Sequence, residues 1–343
     1  MQPARLPRRL LAAAAAPAVL STTACGSDSA DAGNGLVVYS GRNENLIAPL
    51  LEKFTEATGI AVTPRYGGSA ELAAQLLEEG SDSPASVFLS QDAGALGALE
   101  QADRLAPLEK TTLDKVPAKY RSDEGRWVGV SGRSRVLVYD STAVTEAELP
   151  QSVFDLTAPE YRGKVGIAPM NASFQAFVTG MRVTEGEERT KQFLTDLAAN
   201  DARIYENNIA ILQAVNAGEI PFGLANHYYL YERAAEAGGL DELNARNHLF
   251  PGDDPGSLVN VAGVAVLAGK PDARTQALVD YLLSSEAQTY FAEETKEFPL
   301  VAGVSPDVPG LPPLSALQGP DVDLSELESL ETSLKLLEEV GLL

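Results

Sequence analysis

Apolar residues along the chain follow two spacings, one typical of strands and one typical of helices. A β-branched run predicts a strand at 36–39, and the apolar residues that follow it lie on one helix face: Ile47, Leu50, Leu51 and Phe54. A second strand at 60–66 precedes a helix with Ser69 as its N-cap, and a third at 86–90 precedes a helix that Asp92 caps. This alternation predicts a parallel, doubly wound α/β sheet.

A second series of alternating elements begins after Tyr139. Its predicted strands lie at 165–168, 203–205, 219–225 and 259–267. Its predicted helices lie at 173–183, 191–197, 209–217, 272–283 and 285–294, and an amphipathic helix at 324–337 is expected to pack on one lobe of the protein. A capping box at 184–187 is expected to begin the second of these helices.

The composition of the 343-residue chain fits two domains and narrows the choice of partners. Its length favours roughly two lobes, and 45% apolar residues are enough for their cores. The formal charge is −22, from 26 basic and 48 acidic residues. This charge argues against nucleic acid as a partner, because binding phosphate requires a basic face.

Catalytic constellations are poorly represented in the sequence. The chain has two histidines, His227 and His248, so zinc enzymes and most Ser-His-Asp triads are hard to build. It has no glycine pattern of the P-loop or dinucleotide-binding kind. We therefore expect a protein that is not an enzyme, with a secreted hydrolase as the less favoured alternative.

Residues 1–24 have the pattern of a secretory signal peptide. A positively charged start, made by Arg5, Arg8 and Arg9, precedes an apolar run at 10–20 that is too short to span a bilayer. The sequence after residue 25 contains no second hydrophobic stretch long enough for a transmembrane helix. We therefore expect an exported protein, at the cell surface or the periplasmic face of the membrane.

Cys25, the single cysteine of the chain, follows small residues at the end of this leader. The arrangement resembles the lipobox at which bacterial lipoproteins are cleaved and lipidated, and a spare cysteine within the leader is the alternative. Residues 25–35 are mostly small and polar, which predicts a flexible tether. A protein anchored to the cytoplasmic membrane by lipid alone is therefore expected.

Two adjacent tyrosines, Tyr228 and Tyr229, follow the predicted buried strand at 219–225. A phenol has a pKa of about 10, so only a strongly Lewis-acidic cation removes both protons at neutral pH. Ferric iron meets this requirement, which makes the pair a candidate iron(III) site. The alternative is an aromatic cluster that packs the start of a helix, because tyrosine is common at half-buried positions.

Three turns between strands and helices offer backbone N–H groups beside small polar side chains, at 40–42, 67–69 and 171–173. Helix N-termini of this kind bind anions. Arg133 and Arg135 alternate along a predicted strand, so both guanidinium groups are expected on one face, where they suit bidentate contact with an oxyanion. Ordinary surface arginines are the alternative.

Several segments together resemble the substrate-binding proteins of bacterial ferric-ion ABC importers, and the resemblance extends over nearly the whole chain after the leader. The segments are 38–42, 78–80, 84–88, 131–139, 161–166, 205–208 and 226–231. The last, Asn226-His227-Tyr228-Tyr229-Leu230-Tyr231, is the most specific, because paired tyrosines ligate iron in that family.

The resemblance implies a type II periplasmic-binding-protein fold, like a periplasmic transferrin lobe. Each lobe is then an α/β unit with a doubly wound mixed sheet, and two crossing strands form the hinge, near 135–137 and Asn260. The expected residue ranges are 36–135 with 260–310 for lobe 1, and 136–259 with 311–343 for lobe 2.

The resemblance also implies roles for individual residues. Fe³⁺ would be ligated by Tyr228 and Tyr229, and a synergistic carbonate or phosphate would be held by Asn171, Ala172, Ser173, Asn208 and Arg133 or Arg135. Further candidates for the cleft are Arg42, Asn43, Tyr66, Ser69, Gln91 and Asn226. The family's usual His and Glu ligands align with Asn43 and Gln91, so the second lobe is expected to anchor the metal alone.

The function that the resemblance implies is the capture of ferric iron outside the cytoplasm and its delivery to the permease and ATPase subunits of an ABC importer. The protein is expected to be a monomer. The alternative keeps the fold and changes the ligand to a different small anion or an organic solute, because fold does not determine function.

Overall fold

A mixed sheet forms the centre of the part of the chain that the computed structural model describes, residues 35–304 and 307–343. Cys25, with the predicted leader and the tether as far as Asn34, lies outside these residues. The strands are β1 (Leu36–Ser40), β2 (Val62–Tyr66), β3 (Val87–Ser90), β4 (Val128–Asp140), β5 (Val165–Ile167), β6 (Arg203–Ile204), β7 (Phe222–Asn226), β8 (Ala245–His248), β9 (Val259–Val266) and β10 (Phe298–Pro299).

Helices alternate with these strands, which confirms the predicted α/β class. They are α1 (Glu44–Thr58), α2 (Ser69–Glu79), α3 (Ala93–Gln101), α4 (Lys110–Leu113), α5 (Ala172–Glu185), α6 (Glu187–Ala199), α7 (Asn208–Asn216), α8 (Tyr228–Ala237), α9 (Ala273–Leu282), α10 (Ser285–Glu293) and α11 (Leu330–Glu339). The four apolar residues predicted for one face of α1 are its buried residues. Asp92 caps α3 as predicted, and its side chain accepts a hydrogen bond from the Ala95 N–H at 3.1 Å.

The strand order in the sheet is β2-β1-β3-β9-β4-β7-β5-β6, with β8 and β10 also paired to β4. β1 pairs in parallel with β2 and β3, and β5 pairs in parallel with β6 and β7. The long strand β4 joins these two parallel sets through antiparallel pairing. Its first half, as far as Ser134, pairs with β9, and from Arg135 to Tyr139 it pairs with β7.

Separate hydrophobic cores lie on the two parts of β4. One core contains side chains from β1, β3 and β9 with Trp127. Two others contain side chains from β5, β7 and the helices around them. The segment at 311–343, predicted to belong to lobe 2, contributes to both sides: Leu317, Leu324 and Leu327 pack in the first core, and Leu336 and Leu337 pack in the second.

Two local predictions differ from the structure at helix ends. Ser69 is the first residue of α2, and Gly68 takes the N-cap position. The predicted capping box at 184–187 does not form, because α5 continues to Glu185 and Gly186, with a φ of +85°, ends it and begins α6. Thr184 instead donates to the Gly180 carbonyl at 3.0 Å within α5.

The predicted C-terminal helix is also divided into two parts. A 3₁₀ turn at Leu324–Glu328 precedes α11. The Trp127 indole N–H donates to the Ser325 hydroxyl at 3.2 Å, and that hydroxyl donates to Glu100 at 2.9 Å. On the other side, Arg182 donates to the Ser333 hydroxyl at 2.9 Å. We call residues 324–339 the C-terminal segment, and these contacts attach it to both sides of the molecule.

None of the helices within the described residues combines the length and the apolar character that a membrane crossing requires.

Close packing of the C-terminal segment on α3 gives a first prediction. A Cβ added at Gly97 would lie 2.1 Å from the Ser325 carbonyl oxygen, so Gly97→Ala requires that segment to shift. We expect the free energy of unfolding in urea to fall by about 2 kcal/mol, although alanine normally stabilises a helix relative to glycine. Gly35→Ala, where the new Cβ would meet Ala61 at an ordinary 3.4 Å, is the control. Equal stability of the two variants would contradict this packing.

Candidate metal centre

A cleft of about 710 Å³ opens where β4 changes partners, between the N-termini of α3 and α5. Most of the residues predicted for the site line it together: Gln91, Arg133, Arg135, Asn171, Ala172, Ser173, Asn226, Tyr228 and Tyr229. Asn260, predicted near the hinge, lines it as well. Residues far apart in the sequence therefore meet in one cavity.

Tyr228 and Tyr229 begin α8 immediately after β7 ends at Asn226. Their ring centroids are 4.2 Å apart with the planes tilted by 35°, and both rings line the cleft. Burial, reinforced by the adjacent Tyr229 phenol, raises the pKa of Tyr228 well above its ordinary value. Tyr228 is therefore a neutral phenol at physiological pH, and a cation must displace its proton to bind the oxygen.

His227 holds the start of α8 in place and is not free to ligate a metal. The Ser134 backbone N–H donates to its Nδ1 at 3.2 Å, so Nε2 carries the proton and donates to the Lys296 carbonyl at 2.9 Å. The ring stacks on Phe298 with centroids 4.2 Å apart. Burial lowers the pKa of His227 to about 4, so the imidazole is neutral.

Arg135 is a buried cation, 2% exposed, without a carboxylate partner among the described residues. Its guanidinium donates to the Leu224 carbonyl at 2.8 Å, to Ser173 Oγ at 3.2 Å and to Asn226 Oδ1 at 3.4 Å. It also lies over the rings of Phe174 and Phe177, with 5.5 Å from its central carbon to each centroid. Burial lowers the pKa of Arg135 to about 9, so it stays charged at neutral pH and makes the cleft floor positive.

Polar side chains at the start of α5 surround this charge. Asn171 caps the helix, and its Oδ1 accepts from the Ser173 N–H at 3.0 Å and from the Ser173 hydroxyl at 2.7 Å. Asn208 donates to Ser173 Oγ at 2.8 Å, and its own Oδ1 is buried with no partner in the described part of the chain. A helix N-terminus beside an uncompensated guanidinium favours an anion.

Arg133 differs from Arg135 because a carboxylate lies near it. Its Nε is 3.8 Å from Glu297, and its guanidinium donates to the Gln91 carbonyl. Glu297 also accepts two hydrogen bonds from Arg42, at 2.8 and 3.0 Å, and one from Ser131 Oγ at 2.6 Å. Burial opposes ionisation of Glu297, but Arg42 and Arg133 outweigh it and hold the pKa of the carboxyl below its ordinary value.

Other residues predicted for the site lie away from the cleft lining. Arg42 is buried in its ion pair with Glu297, which accounts for its position outside the cleft. Asn43 caps α1 at the surface, and the Tyr66 hydroxyl is buried without a partner. Ser69 Oγ accepts from the Gln91 N–H at 2.9 Å, so it supports a cleft residue from behind. Asn208 likewise acts through Ser173.

Within the described part of the chain, no group of three His, Cys, Asp or Glu side chains is placed to hold a metal ion. Two features of the cleft were not predicted from the sequence: the apolar lining that α2 and the C-terminal segment contribute, and the role of Glu297. The pairing of Glu297 with Arg42, 255 positions away, has no local sequence signal.

The chain is similar in sequence to a known protein family and to several named relatives. A family model described as bacterial extracellular solute-binding protein matches residues 82–323. The Fe(3+)-binding periplasmic protein of Serratia marcescens is 36% identical over 322 residues, which cover 93% of this chain and 94% of that protein. The major ferric iron-binding protein of Neisseria meningitidis is 33% identical over 313 residues, 90% of this chain and 93% of that one.

Solved structures show the same likeness. Iron-bound HitA from Pseudomonas aeruginosa superposes with a TM-score of 0.79 at 34% identity, covering 90% of this chain and 99% of that one. The Trichodesmium protein IdiA (FutA), in complex with iron and citrate ligands, superposes with a TM-score of 0.76 at 30% identity over 90% and 99% of the chains. These superpositions confirm the predicted type II periplasmic-binding-protein fold.

The shared carboxylate gives a second prediction. Glu297→Gln leaves Arg42 and Arg133 buried without a counter-charge, so we expect the free energy of unfolding at neutral pH to fall by about 3 kcal/mol. The matched control is Glu339→Gln, which removes an exposed pair with Lys191 and is expected to cost less than about 1 kcal/mol.

The same variants test the pH dependence. Because the folded-state pKa of Glu297 lies below its unfolded value, its contribution to stability is complete above the unfolded pKa. It is lost as the pH falls through the folded pKa, so the difference between the wild type and Glu297→Gln should shrink in acid. Urea unfolding at several pH values measures this, and a difference that grows in acid would contradict it.

Proposed function

We propose that this chain, which belongs to the ferric iron-binding members of the bacterial extracellular solute-binding proteins, captures ferric iron through Tyr228 and Tyr229 together with a bound anion. It then delivers the iron to the permease and ATPase subunits of an ABC importer. The protein is a binding protein and not an enzyme. The relatives named as ferric iron-binding proteins support the choice of cargo.

One observation carries the proposal: two phenols meet, in the cleft, a guanidinium that has no carboxylate partner within residues 35–304 and 307–343. Phenolates are hard oxygen donors, and the protons are removed at neutral pH only by a strongly Lewis-acidic cation such as Fe³⁺. Two tyrosinates leave one positive charge on the metal, and Arg135 adds another. An anion that bridges the iron and Arg135 neutralises both charges and fills open coordination positions.

The anion is carbonate or phosphate, held at the start of α5 by Asn171, Ala172, Ser173 and Asn208, with Arg135 and Arg133 beside it. Asn208 lies outside the cleft lining and contributes through Ser173, to whose Oγ it donates at 2.8 Å. Asn43 is at the surface, where it caps α1, and Gln91 offers an amide, so neither is a strong ligand for iron. The metal is accordingly anchored by the tyrosine side of the cleft.

The residues before Gly35 are the basis for the proposed location of the protein. In this proposal residues 1–24 direct export, and Cys25 is lipidated, so that the protein is anchored to the outer face of the cytoplasmic membrane as a monomer. The names of the periplasmic relatives support a location outside the cytoplasm. The competing function, binding of a small anion or organic solute without iron, uses the Arg135 pocket and leaves the tyrosines unexplained.

Tyrosinate bound to ferric iron absorbs visible light, which gives a third prediction. Replacing both Tyr228 and Tyr229 with phenylalanine should abolish the colour that appears when ferric citrate is added, because no other donor in the cleft has this charge-transfer band. Tyr231→Phe is the matched control: its hydroxyl donates to the Gly310 carbonyl at 3.0 Å, outside the cleft lining, so the colour should remain. A double variant that folds and stays coloured would overturn the ligand assignment.

The protons on the phenols give a fourth prediction. Because burial raises the pKa of Tyr228, iron must displace at least one proton, and binding must weaken as the pH falls. We expect the apparent affinity to fall about tenfold per pH unit for each phenol that ionises on binding. Equilibrium dialysis of labelled iron between about pH 8 and about pH 5 measures the slope. An affinity that does not change over this range would exclude phenolate ligation.

A further inference from the structure

One wall of the cleft is apolar and partly exposed. On α2 the side chains of Ala70, Ala74 and Leu77 recur at the spacing of one helix face and line the cleft. All three are exposed, and Leu77 is 42% exposed, one of few large apolar side chains in this state among the described residues. The other face of α2, with Leu72, packs in the core.

The C-terminal segment provides more of this wall. Leu330 and Leu334, one turn apart on α11, line the same cleft and are half-buried. Leu327, immediately before α11, joins them at the edge of the first core. We call the set formed by Ala70, Ala74, Leu77, Leu330 and Leu334 the apolar wall.

The cleft therefore has two chemically different parts within one volume. The polar part contains Arg135, Ser173 and the tyrosine pair, and the apolar wall shares the same cavity. A volume of about 710 Å³ is that of pockets that hold whole organic molecules, and it far exceeds what an iron ion with a carbonate occupies. Neither the iron nor a small inorganic anion has any surface that would favour an apolar wall.

We propose that the cargo is ferric iron bound to a hydroxycarboxylate chelator that carries an apolar or aromatic body. This inference rests on the proposed function, because it keeps the iron on Tyr228 and Tyr229, and the chelator's carboxylate takes the place given there to carbonate or phosphate. One oxygen of the chelator's carboxylate accepts from the Arg135 guanidinium, which has no carboxylate partner among the described residues, and lies beside the Ser173 hydroxyl. The chelator's hydroxyl oxygen and the other carboxylate oxygen bind the iron as a chelate, and its body lies on the apolar wall.

Charge and burial favour a hydroxycarboxylate with an apolar body over carbonate or phosphate. Arg135 is almost fully buried and its Nε has no hydrogen-bond partner among the residues that the structure describes, so a carboxylate gains a strong charge-assisted contact with this guanidinium. A chelator without an apolar body leaves Leu77 and Leu334 facing water. A chelator with a ring removes that apolar surface from water, which adds affinity in proportion to the area covered.

Mandelate and lactate form a matched pair of probes, because both are α-hydroxycarboxylates and differ in a phenyl group against a methyl group. Iron is supplied to the purified protein as ferric mandelate or ferric lactate, and equilibrium dialysis measures the iron and the chelator retained. We expect about tenfold tighter retention with mandelate, with one chelator retained for each iron. Equal affinity for the two complexes, with iron bound in both, overturns this inference and leaves the proposed function standing.

Two substitutions locate the effect. Leu77→Gln should remove most of the preference for mandelate, because it makes an exposed part of the apolar wall polar without opening the core. Leu334→Gln tests the opposite side of the wall. Leu343→Gln, at a leucine of similar exposure (37%) that does not line the cleft, should keep the full preference.

The remaining outcomes are also distinct. If Leu77→Gln and Leu334→Gln weaken the binding of ferric mandelate and ferric lactate equally, the apolar wall stabilises the protein and does not contact the chelator. The inference then fails. If neither complex places iron on the wild-type protein, the proposed function itself fails, and this inference fails with it.

Discussion

The cleft depends on an imbalance of charge between two neighbouring arginines of one strand. Arg133 and Arg135 alternate along β4, so both guanidinium groups are directed to the same side and both are buried. A buried charge is costly unless it is compensated. Glu297 compensates Arg133 together with Arg42, whereas the partners of Arg135 in the described part of the chain are neutral acceptors and two aromatic rings. The positive charge that remains lies where the ligand is proposed to bind.

The course of β4 explains why the two arginines differ. At Ser134 the strand leaves β9, and at Arg135 it begins to pair with β7. Arg133 lies near Glu297 and the Gln91 carbonyl, while Arg135 donates to Ser173 of α5 and to Asn226 at the end of β7. A single change of pairing partner thus separates a neutralised site from a charged one. The division of the chain into two lobes around this point stays a prediction.

Local sequence patterns were sufficient for much of the fold and for part of the cleft. The helix face of α1, the Asp92 cap and the alternation of strands with helices are all encoded over a few residues. The placement of Tyr228 after a buried strand and the alternation of Arg133 with Arg135 are equally local, and these residues do line the cleft. Whether they ligate iron and an anion stays a proposal, because residue type and position do not establish binding.

What could not be predicted depends on contacts between distant parts of the chain. Arg42 follows a strand end, as cleft residues do, but Glu297 draws it into the interior. The cap at Thr184 was predicted wrongly because Gly186 can adopt a positive φ and end one helix where the next begins. The C-terminal segment has a clear helical pattern, yet nothing local shows that it lies against both cores and lines the cleft.

The contacts that hold His227 in place have a consequence for the thermodynamics of ligand binding. Its imidazole joins Ser134, Lys296 and Phe298, and it lies directly before the first tyrosine. The backbone that carries both phenols is therefore ordered when the protein folds, before any ligand arrives. Tyrosine has only two side-chain torsions left to restrict, so little conformational entropy remains to be lost on binding. The neutral phenol is a weak donor, and the rigid backbone that carries it offsets this weakness.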